Sequence, residues 1–261
     1  MARKIVITSG KGGVGKTTIV ASLGATIASL GYKTLLVDMD FGLNNLDIML
    51  GIENKIVYDI IDILEGVCSP RQALVQDFFE PNLYILPTTH GFCRVKFGAR
   101  ELTPIINSLE NNFDFILIDC PAGIDGGFRR AVDSASEYIL VTTPHLSAIR
   151  DADKALNNIQ SDNIMLIINR ARGDLIVENK MLGVDVICEM LSARLIGVIP
   201  EDDEVSIQML TSEKFDKNSS IQSSLNMIAN NLLTNSDNLF DCTKKYKGIF
   251  GSIRKNLKRR L

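Results

Sequence analysis

Long apolar runs are missing from this 261-residue chain. No uninterrupted stretch approaches the roughly 20 residues that a membrane-spanning helix requires, so none is expected to cross a bilayer. The opening MARKIVIT carries neither the long apolar stretch nor the small-residue cleavage site of a secretory signal; it reads as the first strand of a cytoplasmic domain. C-x-x-C spacing is missing too. The five cysteines (Cys68, Cys93, Cys120, Cys188, Cys242) are odd in number and scattered, which fits reduced cytoplasmic thiols. There is no internal repeat and no low-complexity segment. Acidic residues are absent from one place. Between Lys244 and Leu261 stand eight basic residues and no Asp or Glu. The chain totals 28 basic against 31 acidic groups, a net charge of −3, so residues 1–243 keep 20 basic and 31 acidic groups. The body is therefore −11 and the tail +8. A body that acidic is a poor general nucleic-acid binder, whereas the tail suits an anionic surface.

The chain is 46% hydrophobic and long enough to bury one large core. Short apolar runs at 4–8, 33–37, 83–86, 113–118, 138–142, 164–168 and 195–199 alternate with segments of helical spacing. Several runs, such as FILI at 115–118, are apolar on both faces, as strands covered from both sides must be. The expected fold is α/β: a mostly parallel sheet with helices on both faces, reached by right-handed crossovers. The body is expected to span 1–233 and end in a helix at 220–233. A polar linker at 234–243 then leads to a basic tail at 244–261.

Between the first strand and the next helix lies Gly10-Lys11-Gly12-Gly13-Val14-Gly15-Lys16-Thr17-Thr18. This satisfies G-x-x-x-x-G-K-[ST] in a strand, loop, helix context. The glycines let the backbone curl so that successive N–H groups point inward at the positive end of a helix dipole. Lys16 then reaches terminal phosphates, the Thr17 hydroxyl binds Mg2+, and Thr18 contacts the first phosphate from the base side. Lys11 is surplus to an ordinary phosphate loop. Either it is a solvated surface lysine, or it donates to a phosphate bound by a second chain facing the loop, as an arginine finger does.

Three carboxylates fall at strand ends beside this loop. Asp38 can hold a Mg2+-bound water, Asp40 can orient the attacking water, and Asp119 follows the apolar run 115–118 in the Walker B manner. Alternatively, Asp38 and Asp40 merely cap the next helix. Asn169-Arg170 and Pro200-Glu201-Asp202 also end strands and can line the same crevice, or serve as ordinary turns. A guanine-reading TKxD motif is absent, so ATP and ADP are favoured, with Mg2+ as the metal.

The tail reads KKYKGIFGSIRKNLKRRL. On a helix, Ile249, Phe250, Ile253, Leu257 and Leu261 share an arc of about 120°, flanked by Lys247, Arg254 and Lys258. That pattern fits a helix lying in a membrane interface. A solvated charge run and a helix docked on the body remain open.

KGGVGKTT, together with VDMDFGLNNLDIMLG, NLYILP, DCPAGID, RDAD, GVIPED and the basic amphipathic end, resembles the deviant Walker A (ParA–MinD) family of P-loop ATPases along nearly the whole chain, particularly its septum-site branch. The resemblance implies an ATP-dependent homodimer with Lys11 crossing to the partner's nucleotide, and adenine contacts from Asn169 and the turn at 200–202. It further implies a peripheral location on the inner face of the cell membrane, recruitment of a MinC-like division inhibitor, and hydrolysis stimulated by a MinE-like or other topological regulator. Ser147, Arg150, Asp151 and Asp153 match the family's partner-binding helix. His145 stands where the family usually has Glu, and Gly183 is expected to weaken a helix start. A flagellar-number regulator or a DNA-partitioning ATPase of the same family remains an alternative, the latter disfavoured by the acidic body.

Overall fold

The computed structural model describes residues 1–41, 45–88, 98–201, 216 and 218–247. Eight strands form one sheet: β1 (Arg3–Thr8), β2 (Thr34–Asp38), β3 (Val75–Gln76), β4 (Leu83–Leu86), β5 (Phe115–Asp119), β6 (Glu137–Thr142), β7 (Ile164–Ala171) and β8 (Arg194–Pro200). Their spatial order is β3-β4-β2-β5-β1-β6-β7-β8, with every described pairing parallel except β3 on β4. All seven apolar runs read from the sequence are strands. The eighth, β3, is a two-residue antiparallel edge too short to show a period.

The described helices are α1 (Lys16–Ser29), α2 (Asn45–Leu50), α3 (Ile60–Leu64), α4 (Ala99–Leu109), α5 (Gly126–Val132), α6 (Leu146–Leu156), α7 (Gly173–Val177), α8 (Val184–Leu191) and α9 (Ser220–Thr234). They cover both faces of the sheet. Alternation along each strand sends Ile5, Ile7, Leu36, Leu117, Ile139 and Ile167 into a core shared with α1, α2 and α9. Val6, Leu35, Val37, Ile116, Ile118 and Leu140 face the other way, into a core shared with α3, α4, α5, α6 and α8. This double covering explains why the strands are apolar on both sides rather than alternating with polar residues.

From the end of α9 to Lys247 the chain stays on the body. Asn235, left-handed with φ 54°, ends the helix. Arg194 then holds the Asp237 carboxylate at 2.9 Å and the Asn235 and Ser236 carbonyls at 3.3 Å. Asn231, 1% exposed, donates to the carbonyls of Ile196 and Asn238 and accepts from Ser236 Oγ and the Asn238 N–H. Cys242 and Tyr246 are buried, Cys242 against Ala171 and Val198. The segment read from the sequence as a linker is thus packed against β8 and α7 as far as Lys247. Ile249, Phe250, Ile253, Arg254, Leu257, Lys258 and Leu261, expected to meet the membrane, lie outside the described residues, as does Asp202.

Candidate functional site: a phosphate cradle beside buried carboxylates

The carboxyl ends of the parallel strands β2, β5 and β1 meet at the start of α1. Open α/β sheets bind ligands at this end. The turn from β1 to α1 passes through Gly13 and Gly15, with φ of 77° and 91°, values that side chains with a Cβ rarely tolerate. Gly15 is also the N-cap of α1. It offers no side-chain acceptor, and the first helical turn contains no acidic residue. The helix therefore presents its first N–H groups without an internal acceptor, which is what an anion needs. Gly10 is constrained differently: a Cβ there would lie 1.9 Å from the Asp151 carbonyl oxygen. The loop backs directly onto α6, a constraint no local motif reveals.

Inside the cradle, Lys16 is 7% exposed and its Nζ lies 3.3 Å from Asp119 Oδ1. Asp119, at the end of β5, also accepts a hydrogen bond from the Thr17 side chain. Burial pushes the Asp119 carboxyl up, while Lys16 and Thr17 pull it back. Asp38 stands in register with Asp119 across the β2–β5 pair. Neighbouring strands are only about 5 Å apart, so the two carboxylates share one small volume. Asp38 Oδ1 accepts the Asp40 N–H at 2.9 Å. Burial pushes the Asp38 carboxyl up to about 7; repulsion from Asp119 adds to this, the Asp40 N–H opposes it, and Asp40 and Asp47 add smaller repulsions.

A buried group of carboxylates with one lysine is short of positive charge. Its donors are hard oxygens, the chemistry that Mg2+ prefers. Among the described residues no three His, Cys, Asp or Glu converge into a metal cage. Mg2+ commonly retains waters and takes phosphate oxygens, so one hydroxyl, Thr17, with Asp38 and Asp119 nearby, fits a nucleotide-borne Mg2+. Cys120, next to Asp119, is inert: burial pushes its thiol up to about 12, and Thr8 Oγ1 sits 3.5 Å from its sulfur.

Lys11 lies on the loop's exposed rim. Its Nζ is 3.3 Å from Ser147 Oγ on α6 of the same chain. On α6, Ala148, Ile149, Ala152 and Ala155 are buried, whereas Ser147, Arg150 and Asp153 are exposed and Asp151 is partly so. Asp151 pairs with Lys154 at 3.2 Å. The four residues expected to bind partners therefore form a surface beside the phosphate loop. His145 caps α6 without a side-chain hydrogen bond to the helix, its Nδ1 meeting Thr143 Oγ1 at 3.2 Å. Gly183 is just outside α8 as its N-cap. Glycine is well tolerated there, so the expected weakening of the helix start does not arise.

At the far side of the crevice, Asn169 donates its amide to the Val14 carbonyl at 2.7 Å and packs on Gly15. It therefore braces the phosphate loop, a role its position at a strand end did not suggest. Arg170 is exposed and left-handed, φ 57°, with its N–H on Asn169 Oδ1. Arg172 grips Asp174 through two hydrogen bonds and approaches Glu201 at 3.9 Å. Pro200 is buried, and the Glu201 N–H donates to the Ala171 carbonyl. Residues 169–172 and 200–201 thus form one strap.

Comparison with known proteins places this geometry. Residues 5–215 match the CobQ/CobB/MinD/ParA nucleotide binding domain. The septum site-determining protein MinD of Synechocystis sp. is 47% identical over 210 residues, 79% of each chain. Among solved structures, the MinC:MinD cell division protein complex of Aquifex aeolicus superposes with a TM-score of 0.84 at 38% identity, covering 90% of this chain and 97% of that one. MinD of Pyrococcus horikoshii complexed with Mg-ADP superposes at 0.81 and 32% identity, covering 90% and 97%.

Proposed function

We propose that this chain, which belongs to the MinD family of CobQ/CobB/MinD/ParA nucleotide-binding proteins, is an ATP-hydrolysing switch that positions the division septum from the inner face of the cell membrane. ATP holds two copies face to face, and hydrolysis to ADP and phosphate releases them. The observation that carries the reading is the division of labour between two lysines of one loop. Lys16 is buried in the cradle against Asp119, whereas Lys11 is exposed on the rim. A cation outside its own cradle is available to the phosphates of a second copy.

In the reaction, Lys16 and the first N–H groups of α1 hold the terminal phosphates and stabilise charge developing on them. Mg2+, held by Thr17 with Asp38 and Asp119 behind it, would supply Lewis-acid charge neutralisation. Asp40 orients the attacking water. Lys11 arrives from the partner copy and adds charge where the transition state needs it, so chemistry waits for dimerisation. Asn169 and the turn at 200–202 receive the adenine.

The tail converts this cycle into localisation. Each basic group near an anionic leaflet contributes about 1 kcal/mol, so one tail binds marginally. Two tails on one dimer can gain about 10²- to 10⁴-fold through avidity. The exposed face of α6 at Ser147, Arg150, Asp151 and Asp153 receives a MinC-like division inhibitor and a MinE-like regulator. The MinC:MinD complex of Aquifex aeolicus supports the first of these. No helix among the described residues is long and apolar enough to cross a membrane.

Liposome sedimentation with ATP, ADP or no nucleotide tests the reading. The full chain is expected to pellet with anionic vesicles only with ATP. A chain ending at Lys247, which keeps Cys242 and Tyr246 in place, is expected to remain in the supernatant. Equal pelleting in all three nucleotide states would overturn the switch.

A further inference from the structure

We infer that residues 235–247 form a latch coupling the nucleotide base to the root of the basic tail. The latch is seated on the strap that flanks the crevice. Cys242 packs on Ala171 and Val198, with Phe240, Ile176 and Leu195 around them. Gly173, two residues beyond Ala171, meets the latch backbone: a Cβ on Gly173 would lie 1.9 Å from the Cys242 carbonyl oxygen and 3.1 Å from the Thr243 Cα. Neither atom is a flexible side-chain end, so this contact exists only because residue 173 lacks a Cβ. Asp241 folds the following turn by accepting from the Thr243 N–H, and Lys247 returns to Asp241 at 3.4 Å. The turn at Lys244–Tyr246 packs on α7.

The same strap also reaches the phosphate loop. Asn169 braces Val14 of the phosphate loop, the Ala171 carbonyl takes the Glu201 N–H, and Arg172 ties Asp174 towards Glu201. Base site and latch therefore share one short piece of backbone. A ligand that orders residues 169–172 and 200–201 reduces the freedom the latch must give up to seat. Seating the latch in turn prepares the strap for the base. Nucleotide thus fixes the direction in which the tail leaves the body, in addition to bringing two tails together. Linkage requires the coupling to be reciprocal.

The inference rests on adenine binding at this strap, and the test separates the two claims. A chain with Cys242 as its only cysteine (Cys68→Ser, Cys93→Ser, Cys120→Ala, Cys188→Ser) is labelled with a water-soluble maleimide under native conditions. Labelling is followed without nucleotide, with Mg-ADP and with a non-hydrolysable ATP analogue, while calorimetry measures ADP affinity. Nucleotide is expected to slow Cys242 labelling about fivefold or more, within the usual range of coupling between sites. Gly173→Ala is expected to speed labelling and to weaken ADP binding several-fold. Amide exchange at residues 238–246 of the unmodified chain gives the same readout if the cysteine replacements impair folding. Calorimetric ADP binding with no change in labelling or exchange overturns the latch and leaves the switch intact. Absence of nucleotide binding overturns the switch and the latch together.

Discussion

The two ends of the nucleotide crevice are built on different principles. At the phosphate end, α1, β2 and β5 bring Lys16, Asp38 and Asp119 into a buried volume with excess negative charge. At the other end, which we assign to the base, β7 and β8 carry a strap and a latch held by hydrogen bonds among themselves and from Asn231 of α9, which makes four. The first is costly to the empty protein and suited to receiving Mg2+ and phosphate. The second stabilises the fold as far as Lys247, the root of the tail. Substitutions at the two ends should therefore move activity and stability in different combinations.

The sharpest separation is expected at Lys11. Lys11→Ala is predicted to lower ATP turnover by about 10³- to 10⁵-fold, the range for a charge supplied in trans to phosphoryl transfer. Thermal stability and ADP binding by the isolated chain should hardly change, because Lys11 is exposed and, among the described residues, its ammonium makes one long bond, 3.3 Å to Ser147. Turnover assays and analytical ultracentrifugation with ATP check this. Normal dimerisation of the variant would break the assignment of Lys11 to a partner's site. Next comes Asp40→Ala, with about 10²- to 10⁴-fold lost from hydrolysis, as for removal of a positioned acid–base group. Its ATP binding should persist, so vesicle pelleting with ATP should outlast that of the unmodified chain.

Asn231→Ala moves to the base end. It strands the buried Ile196 carbonyl, at about 1–3 kcal/mol for a buried unpaired group, and releases both backbone groups of the exposed Asn238 to solvent, loosening the segment they held. A net loss of about 3 kcal/mol, read by urea unfolding, is expected, with faster Cys242 labelling. Turnover per folded molecule should fall far less than in Lys11→Ala.

These two ends were unequally legible in the sequence. Phosphate chemistry needs a contiguous glycine loop followed by Lys and Thr, so Gly10 to Thr18 announced itself, and apolar runs ending in Asp placed Asp38 and Asp119. Seven strands were visible because burial on both faces leaves dense apolar runs. The latch was not visible. Its buried members, Cys242 and Tyr246, stand among polar residues, and Thr234-Asn235-Ser236-Asp237-Asn238 has the composition of any exposed turn. What makes it structured is Asn231 and Arg194, contributed from other elements. Asn169 was placed in the crevice by its strand end, but its hydrogen bond to Val14 spans 155 residues and has no local signature.

The phosphate end also predicts a gain. Asp38→Asn removes a carboxylate whose folded-state value is about 7 against an ordinary 3.8. Below pH 4 both folded and unfolded chains carry this proton, so the substitution should have no electrostatic effect on stability. Between pH 4 and 7 the unfolded chain ionises first, and the folded chain pays for holding the proton or the charge. Above pH 7 both are ionised and the penalty is complete. The shift of about three units sets a ceiling of about 4 kcal/mol, and relaxation around the site should leave about 2 kcal/mol. For a chain of this size that is a rise of about 4–8 °C in Tm at pH 8, shrinking towards zero at pH 4. Saturating Mg-ADP should narrow or reverse the advantage, because the metal gives the Asp38 charge the compensation that the empty protein lacks. Differential scanning calorimetry of both chains at pH 4, 6 and 8, with and without Mg-ADP, measures this. A destabilised variant at pH 8 without nucleotide would place the cost elsewhere and make the two ends of the crevice alike.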